Sequence, residues 1–340
     1  MAPKRAPWRS GCACRFFAVL DFAPRPSDSR KGRGFFSWPG TRTSFNKLLQ
    51  DIVVLRIALP NKGRLHEQAL ELFETAGLKA EFSSQRALMA QMGPDFQAIF
   101  VRASDIPEFV ADGAADLGVT GADLIAESGR DVVEVLDLGF GRCRLAVAVP
   151  EDSGIERPEQ IGAGARIATS FPNLARRYFA ELGIDVTLAP VSGAAEIAPH
   201  LGVAEGIVDL VSTGSTLHVN RLREIGTVIE STARVIANRT AFESAEHARS
   251  FAEVTAALES VLRAAARRYL MANVPRARLD EVKQVLPGIN GPTIVEVHDD
   301  GAWVAAHAVV EANQVYQTIA RLKELGAEGI LVTRIERLMP

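Results

Sequence analysis

Long apolar runs, cysteines and an excess of charge of one sign are all scarce in this 340-residue chain. No apolar run approaches the roughly 18 residues that a membrane-spanning helix needs, so we predict no spanning segment. Cys12, Cys14 and Cys143 form neither a disulfide framework nor a zinc-binding pattern, and we expect a reduced, cytoplasmic protein. The net charge of −3 gives no reason to expect nucleic acid or an anionic membrane as a partner.

Residues 1–52 differ in composition from the rest of the chain, because they are rich in Arg, Pro, Ser and Gly and poor in acids. An Arg-rich leader with few acids is typical of an organellar transit peptide. The segment shows no amphipathic helical pattern, however, which favours a disordered tail or an overextended reading frame with the true start near Val54. Under either interpretation we expect these residues to be poorly ordered.

Short apolar strands alternate with helical segments from Leu55 onward, which predicts an α/β fold. Strand, turn and helix recur in a first series that includes strands at 55–60 and 96–101 and a strand–turn–helix unit at 116–123. A second series opens at Arg166. We also predict a helix that begins within 191–199, a return strand pair at 228–230 and 234–238, and a long amphipathic helix over 246–268.

The last 70 or so residues contain, in order, a strand, a helix, two strands, a helix and a strand. The predicted bounds are 269–274, 278–285, 293–297, 303–309, 313–325 and 330–335. This βαββαβ order predicts a ferredoxin-like unit. The segment carries no cluster of acids and bases, so we expect it to regulate or assemble rather than to catalyse.

The stretch 207–217 joins an apolar strand to a turn rich in hydroxyl groups and then to a helical pattern. Ser212, Thr213, Ser215 and Thr216 surround Gly214, so that hydroxyl and backbone N–H donors converge on one spot that suits a phosphate. Asp209, just upstream, can accept hydrogen bonds from sugar hydroxyls. The pattern therefore fits a ribose-5-phosphate site, and it equally fits a strand followed by an ordinary Ser/Thr helix cap.

Two loops in the first half of the chain are further candidates for ligand contact. Lys62, Gly63 and Arg64 follow a strand, at the edge where open α/β sheets bind ligands, although a solvated basic turn has the same composition. The unit 116–123 repeats the strand, glycine turn and helix arrangement and ends in Asp123. A Walker loop and a dinucleotide-binding fingerprint are both excluded, because the glycine spacing is wrong for each.

Four motifs in the same order resemble the long form of the ATP phosphoribosyltransferase family. Their sequences are LRIALPNKGRL at 55–65, DLGVTG at 116–121, RIATSFPNL at 166–174 and DLVSTGSTL at 209–217. The resemblance extends from about Leu55 to the end of the chain and leaves out only the leader. Because several motifs recur in order, the match is specific, whereas any one motif alone would be weak.

The resemblance implies two lobes like those of a periplasmic binding protein, with the active site between them, and a C-terminal ACT-like regulatory domain. On this basis lobe I comprises 53–148 and 226–240, and lobe II, which binds phosphoribosyl pyrophosphate, comprises 149–225. A connecting helix would occupy 241–268 and the ferredoxin-like, ACT-like domain 269–340. Long-form relatives form dimers that assemble into hexamers, so we expect a homo-oligomer.

The activity that the resemblance implies is transfer of the phosphoribosyl group to N1 of ATP, with release of pyrophosphate, as the first step of histidine biosynthesis. Mg²⁺ would be carried by the substrates, with no protein metal site. Catalysis would depend mainly on positioning and electrostatics, since adenine N1 has a free lone pair. The expected residues are Glu196 and Asp209 as catalytic groups at the ribose, Asp209, Ser212, Thr213, Gly214, Ser215 and Thr216 for phosphoribosyl pyrophosphate, and Lys62, Gly63, Arg64, Arg86, Asp105 and Asp123 for ATP or pyrophosphate.

The resemblance also implies feedback inhibition by L-histidine at the C-terminal domain. Asn273, Ile289 and Thr293 are the candidate histidine contacts, although a helix stop and a strand start explain the turn residues 286–293 equally well. A two-lobed ligand sensor without catalytic activity remains an alternative, since the fold alone does not fix the function.

Overall fold

The computed structural model describes residues 54–82, 84, 87–298 and 301–339. The predictions for the leader 1–52 and for the candidate Arg86 lie outside the described residues. Within them, no helix is both long enough and apolar enough to cross a membrane.

The described residues form sixteen strands and nine α-helices. The strands are β1 Leu55–Pro60, β2 Glu81–Phe82, β3 Met89–Gln91, β4 Phe96–Val101, β5 Leu117–Gly121, β6 Val132–Asp137, β7 Cys143–Pro150, β8 Ala165–Thr169, β9 Val186–Pro190, β10 Gly206–Val211, β11 Leu222–Ser231, β12 Ala233–Asn238, β13 Arg267–Pro275, β14 Thr293–Glu296, β15 Trp303–Glu311 and β16 Glu328–Arg334. The helices are α1 His66–Thr75, α2 Ile106–Ala111, α3 Ala122–Ser128, α4 Pro172–Glu181, α5 Ser215–Val219, α6 Arg239–Glu243, α7 Ala248–Ala265, α8 Leu279–Val285 and α9 Val315–Glu324.

The first lobe is built on a seven-stranded sheet in the order β2-β3-β4-β1-β5-β12-β6. Strands β1, β4 and β5 run parallel, and β12 runs antiparallel to β5 and β6. Both faces of β1 are buried. Leu55, Ile57 and Leu59 belong to the apolar cluster on one face, and Ala58 belongs to the cluster on the opposite face. This double burial explains why β1 is an almost unbroken apolar run in the sequence.

Helix α7 connects the lobes to the C-terminal domain and packs on the core of the first lobe. Its buried residues Phe251, Val254 and Leu258 recur at intervals of three and four, which places them on one face. The predicted long amphipathic helix is therefore confirmed, with observed bounds Ala248–Ala265.

The second lobe is built on a five-stranded sheet in the order β11-β7-β10-β8-β9. Strands β8, β9 and β10 run parallel, so the turns that lead from β8 into α4 and from β10 into α5 lie at the same edge. One face buries small residues such as Ala146 and Ala168, and the other packs Leu174 and Phe179 of α4 against the sheet.

The chain crosses between the two sheets twice, and the crossings correct the predicted lobe boundaries. Strand β7 and all of β11 pair within the five-stranded sheet, so 143–148 and 226–231, assigned above to lobe I, contribute to the second sheet. The predicted return pair of 228–230 with 234–238 is wrong. Strand β11 pairs with β7, whereas β12 pairs with β5 and β6 after the chain passes through Thr232.

The predicted helix near 191–199 is also wrong, because the structure has only a single 3₁₀ turn, Ala195–Ile197. Ala194 has a φ of 52°, in the left-handed region, which cannot continue a right-handed helix. Short strands β2 and β3 and strand β6 were not predicted.

The C-terminal domain confirms the predicted βαββαβ order. Its sheet has the order β14-β15-β13-β16, with β13 antiparallel to both of its neighbours. Leu270, Ala272 and Val274 alternate along β13 and are buried with residues of α8 and α9, so both helices cover one face of the sheet. The molecule is thus a two-lobed α/β protein like a periplasmic binding protein, followed by a ferredoxin-like domain.

Candidate active site

A cavity of about 250 Å³ lies at the carboxyl end of β10 and contains the predicted phosphoribosyl group-binding residues. Its lining comprises Glu196 and the continuous segment 209–217. All the residues predicted for phosphoribosyl pyrophosphate therefore lie together, and Glu196 joins them from a separate loop. The carboxyl ends of the parallel strands β8, β9 and β10 form this edge, and such an edge is where open α/β folds bind ligands.

The loop between β10 and α5 is held in shape by Gly214 and by two hydroxyl groups. Gly214 has a φ of 82°, which residues with a side chain rarely adopt. The Thr213 hydroxyl lies 3.0 Å from the Ser215 hydroxyl and accepts a long hydrogen bond of 3.4 Å from the Ser215 amide. The amides of Thr213 and Gly214 donate to no acceptor among the described residues, which leaves both available to an anion.

The helix after this loop is shorter than the sequence pattern indicates. Helix α5 spans only Ser215–Val219, and the chain enters β11 at Leu222. A five-residue helix has a small dipole, so the loop amides and hydroxyls, rather than the dipole, are the main anion donors here.

Asp209 and Glu196 supply the two carboxyl groups of the cavity. Burial raises the pKa of Asp209, a hydrogen bond from the Leu210 amide at 2.8 Å lowers it, and repulsion from Glu196 raises it further. The net effect is a raised pKa, as expected for a carboxyl group that is largely removed from water beside a second acid. The oxygens of both carboxyl groups can accept further hydrogen bonds, which suits the hydroxyls of a sugar.

The predicted first-lobe cations have different surroundings from one another. Lys62 is exposed in the loop after β1, beside Gly63 at a φ of 85°. Arg64 instead donates a hydrogen bond to the carbonyl of Gly141, and its Nη2 lies 3.6 Å from Oδ1 of Asp123. Lys62 is thus accessible to a ligand, whereas Arg64 contacts Gly141 in the segment that connects the two lobes.

The two first-lobe carboxylates also differ from each other. Asp123 is fully buried, and its Oδ1 accepts a hydrogen bond from the Ser231 hydroxyl at 2.5 Å. Asp105 is exposed at the start of α2 and accepts a bond from the Ser104 hydroxyl at 2.8 Å. Neither residue lines the cavity at β10, and Asp123 is a buried partner of the crossing at Ser231 rather than an exposed contact.

Sequence reasoning missed the residues that join the lobes. Glu127 of α3 accepts hydrogen bonds from the amides of Asn173 and Leu174 at the start of α4. The motif at 166–174 contributes to the family resemblance, but the sequence assigns no role to its Asn173. This motif is the one sequence feature that points to Asn173 as a functional residue. No pattern in the sequence indicates a role for Ser231, because its partner Asp123 is 108 residues away in the chain.

The three candidate histidine contacts do not share one cavity. Asn273 and Thr293 lie at alternate positions of β13 and β14 that face away from α8 and α9. Ile289 lines a separate cavity of about 290 Å³, together with the Arg267–Glu311 ion pair. Within the described part of the chain, no group of three or more His, Cys, Asp or Glu residues is arranged to hold a metal ion.

Comparison with known proteins agrees with this geometry. A family model described as ATP phosphoribosyltransferase matches residues 102–260, and one described as HisG, C-terminal domain, matches 264–337. The ATP phosphoribosyltransferase of Gemmatimonas aurantiaca is 58% identical over 292 residues, which cover 84% of this chain and 100% of the relative. That of Methanocella arvoryzae is 50% identical over 287 residues, with the same coverage.

A solved structure gives the same assignment. The ATP phosphoribosyl transferase (HisG:HisZ) complex from Thermotoga maritima matches with a TM-score of 0.54 and 29% identity, over 61% of this chain and 99% of that chain. Family models, relatives and fold therefore agree, and the chain belongs to the long-form ATP phosphoribosyltransferase family and is a pentosyltransferase.

Proposed function

We propose that this enzyme joins N1 of the adenine of ATP to the anomeric carbon of 5-phosphoribosyl 1-pyrophosphate, as the first step of histidine biosynthesis. The bond between the anomeric carbon and the pyrophosphate oxygen breaks, a carbon–nitrogen bond to N1 forms, and pyrophosphate leaves. The observation that carries the proposal is the cavity in which two carboxylates and a hydroxyl-rich loop face each other.

The loop 212–216 is proposed to hold the 5-phosphate of the sugar. The amides of Thr213 and Gly214 and the hydroxyls of Ser212, Thr213, Ser215 and Thr216 are the donors. Backbone amides and hydroxyls that converge on one point bind phosphate well, and the φ of Gly214 orients them.

Asp209 and Glu196 are proposed to accept hydrogen bonds from the ribose hydroxyls. The displacement passes through a state in which the sugar ring carries positive charge, and two carboxylates in the same cavity stabilise that charge. Adenine N1 attacks with its own lone pair, so the residues need to orient the substrates rather than to remove a proton.

Lys62 is the first-lobe residue that we propose for the phosphates of ATP or for pyrophosphate. It is exposed beside Gly63 at the carboxyl end of β1. Asp105, also exposed, is a polar contact on the same lobe. Arg64 contacts Gly141, and Asp123 contacts Ser231. These contacts support a structural role at the connection between the lobes rather than direct binding of a substrate.

Mg²⁺ is proposed to enter as a complex with the substrate phosphates. It prefers oxygen ligands and usually keeps waters and substrate phosphates in its shell, which needs few protein ligands. Asp209 and Glu196 are the carboxylates placed to orient such a complex. Its chemistry there is to neutralise charge on the leaving pyrophosphate.

Feedback inhibition by L-histidine and assembly into a homo-oligomer, dimer to hexamer, complete the proposal, with the cytoplasm as location. The match of 264–337 to the HisG C-terminal domain supports a regulatory role for this segment. Asn273, Ile289 and Thr293 remain the proposed contacts, and of these three only Ile289 lines the cavity beside the Arg267–Glu311 ion pair. The solved relative from Thermotoga maritima is titled as a complex of HisG with HisZ, which supports assembly with further chains in this family.

The test is a turnover assay on the full chain with ATP, phosphoribosyl pyrophosphate and Mg²⁺, coupled to pyrophosphatase, with and without histidine. We expect phosphoribosyl-ATP to form only when both substrates are present, and histidine to suppress it. Turnover that ignores histidine would support the enzyme and refute the feedback. Folded protein that binds the sugar phosphate without turnover would favour a ligand sensor.

A further inference from the structure

A carboxylate of the first lobe binds the start of a helix in the second lobe. Glu127 lies on α3, and its Oε1 and Oε2 accept hydrogen bonds from the amides of Asn173 and Leu174 at 2.9 and 2.8 Å. The Asn173 side chain returns a bond of 3.0 Å to the carbonyl of Glu127. Three hydrogen bonds therefore join two residues of α4 to a single residue of the other lobe.

The contact supplies acceptors for backbone groups that a helix cannot satisfy itself. The first amides of a helix have no partner within the helix, and a carboxylate that binds two of them is favoured by both charge and helix dipole. Helix α4 has no side-chain cap of its own, so Glu127 fills that position from the other lobe.

Apolar packing beside the contact joins the same two lobes. Ile125 of α3 is buried in the core of the first lobe. Its neighbours Leu124 and Ala126 pack against the second-lobe cluster that contains Leu174 and Phe179. Helix α3 thus packs against both cores, and its Glu127 binds the first turn of α4.

The contact lies on the side of the lobes that carries the proposed substrate groups. Helix α3 follows the carboxyl end of β5, which neighbours β1 and therefore the loop of Lys62. Helix α4 follows the carboxyl end of β8, which neighbours β10 and therefore the loop 212–216. A shift of α4 against α3 would change the separation between these two half-sites.

We propose that Glu127 and Asn173 are positioning residues that hold the sugar-binding loop of the second lobe at a fixed distance from the ATP-binding loop of the first. This inference rests on the proposed function, because it concerns how the two substrates of that reaction are brought together. It also gives a role to the motif at 166–174, which the proposed substrate contacts leave without one.

The test compares Glu127→Gln and Glu127→Ala in the full chain, with Glu205→Gln as matched control. Glu205 also accepts a backbone hydrogen bond, from Arg166 at 2.6 Å, but both residues lie in the second lobe and outside the cavity at β10. We expect Glu127→Ala to lower kcat about 10-fold, because misaligned reactants react slowly, with the KM for the sugar substrate within about twofold of wild type.

The comparison of kcat among the variants distinguishes a positioning role of Glu127 from a purely stabilising role. Glu127→Gln keeps one carbonyl oxygen as acceptor, so its kcat should lie between those of wild type and Glu127→Ala at a temperature where all are folded. Glu205→Gln should keep the kcat of wild type. An unchanged kcat in Glu127→Ala, or a lowered KM that shows Glu127 competing with a substrate anion, would overturn the proposal.

A distance measurement tests the junction independently of activity. Spin labels are attached at Glu67→Cys of α1 and Arg177→Cys of α4, both exposed positions, in a chain that carries Cys12→Ser and Cys14→Ser and keeps the buried Cys143. The labelled sample is diluted with unlabelled protein. We expect a broader distance distribution in Glu127→Ala than in wild type, and an identical distribution would refute the junction. A wild-type chain without turnover would refute the proposed function alone, and this measurement would still judge the junction.

Discussion

Gly214 determines the backbone path of the loop that receives the sugar phosphate. Its φ of 82° belongs to the left-handed region, and a Cβ added there would meet only Val211, at 4.0 Å. The cost of Gly214→Ala is therefore one of backbone conformation rather than of space, about 1–2 kcal/mol.

We predict that Gly214→Ala, combined with Thr213→Val, raises the KM for phosphoribosyl pyrophosphate about 10-fold, since two charge-assisted bonds lose their geometry. The KM for ATP should change little. Steady-state kinetics with each substrate varied in turn provides the measurement.

Gly183→Ala is the matched control for that experiment. Gly183 follows α4 with a φ of 67° and has nothing within 4 Å of an added Cβ, so it carries the same conformational cost away from the cavity. It should lose stability and keep both KM values. Equal effects of the loop variant on both substrates would show that the loop is only structural.

Asp209 connects pH to both stability and binding. Its pKa is raised by burial and by Glu196, so between the unfolded and folded pKa values the native state holds a proton that the unfolded chain releases. Stability therefore falls as the pH rises through that window. The ionised carboxylate that suits the sugar hydroxyls therefore lowers the free energy of unfolding.

We predict that Asp209→Asn raises the free energy of unfolding at pH 7 and raises the KM for the sugar substrate about 10-fold, from the loss of a charged acceptor. The gain in stability should vanish below about pH 3, where the carboxyl group is protonated in both the folded and the unfolded state. Chemical denaturation across pH measures this, with the exposed Asp185→Asn as control. A variant less stable than wild type at pH 7 would contradict it.

At the scale of elements, the turn between α8 and β14 depends on Gly288. Its φ is 58°, and an added Cβ would lie 2.5 Å from the carbonyl oxygen of Gly291, whose amide donates to Pro287 at 2.9 Å. Any side chain at Gly288 must therefore open this turn, which contains the candidate histidine contact Ile289.

We predict that Gly288→Ala destabilises the C-terminal domain by about 1–3 kcal/mol and abolishes the response to histidine, while turnover without histidine persists. Thermal unfolding and a histidine titration measure the two effects. Gly326→Ala is the control, because its φ is 84° but an added Cβ approaches only Pro275, at 3.4 Å. Loss of basal turnover in Gly288→Ala alone would contradict a purely regulatory role.

Local patterns in the sequence predict elements well where burial is periodic. The alternation along β13 and the spacing of Phe251, Val254 and Leu258 on α7 each indicate the correct element. The helix near 191–199 fails because Ala194 adopts a left-handed φ, which alanine rarely does and which the local pattern therefore does not indicate. The pattern after Gly214 likewise does not reveal that α5 ends at Val219.

At the scale of the whole molecule, the order of strands and helices predicts the ferredoxin-like domain, whereas the two lobes follow from the family resemblance, and the boundaries expected for them misplace the crossings between the sheets. Strands β11 and β12 are adjacent in the chain, and adjacent strands usually pair, yet Thr232 separates two sheets. The pairs Asp123–Ser231 and Glu127–Asn173 could not be predicted either, because no local pattern in the sequence links residues so far apart. The partners in these pairs are 108 and 46 residues apart in the chain.

The candidates for the proposed sugar site lie together in the structure because most of them are contiguous in the chain. The segment 209–216 contributes every candidate except Glu196 to the cavity at β10. In the first lobe, Lys62 and Arg64 are two residues apart and yet face different surroundings. A basic residue in a loop can bind a ligand or a carbonyl of its own chain, and only the fold decides which.

The most direct measurement of the central claim follows the bond that the enzyme is proposed to form. The full chain is supplied with phosphoribosyl pyrophosphate carrying 13C at C1, ATP carrying 15N at adenine N1, and Mg²⁺. We predict a one-bond coupling between the two labels in the product, together with release of pyrophosphate. Pyrophosphate release without that coupling, or no turnover at all by the folded chain, would contradict the account.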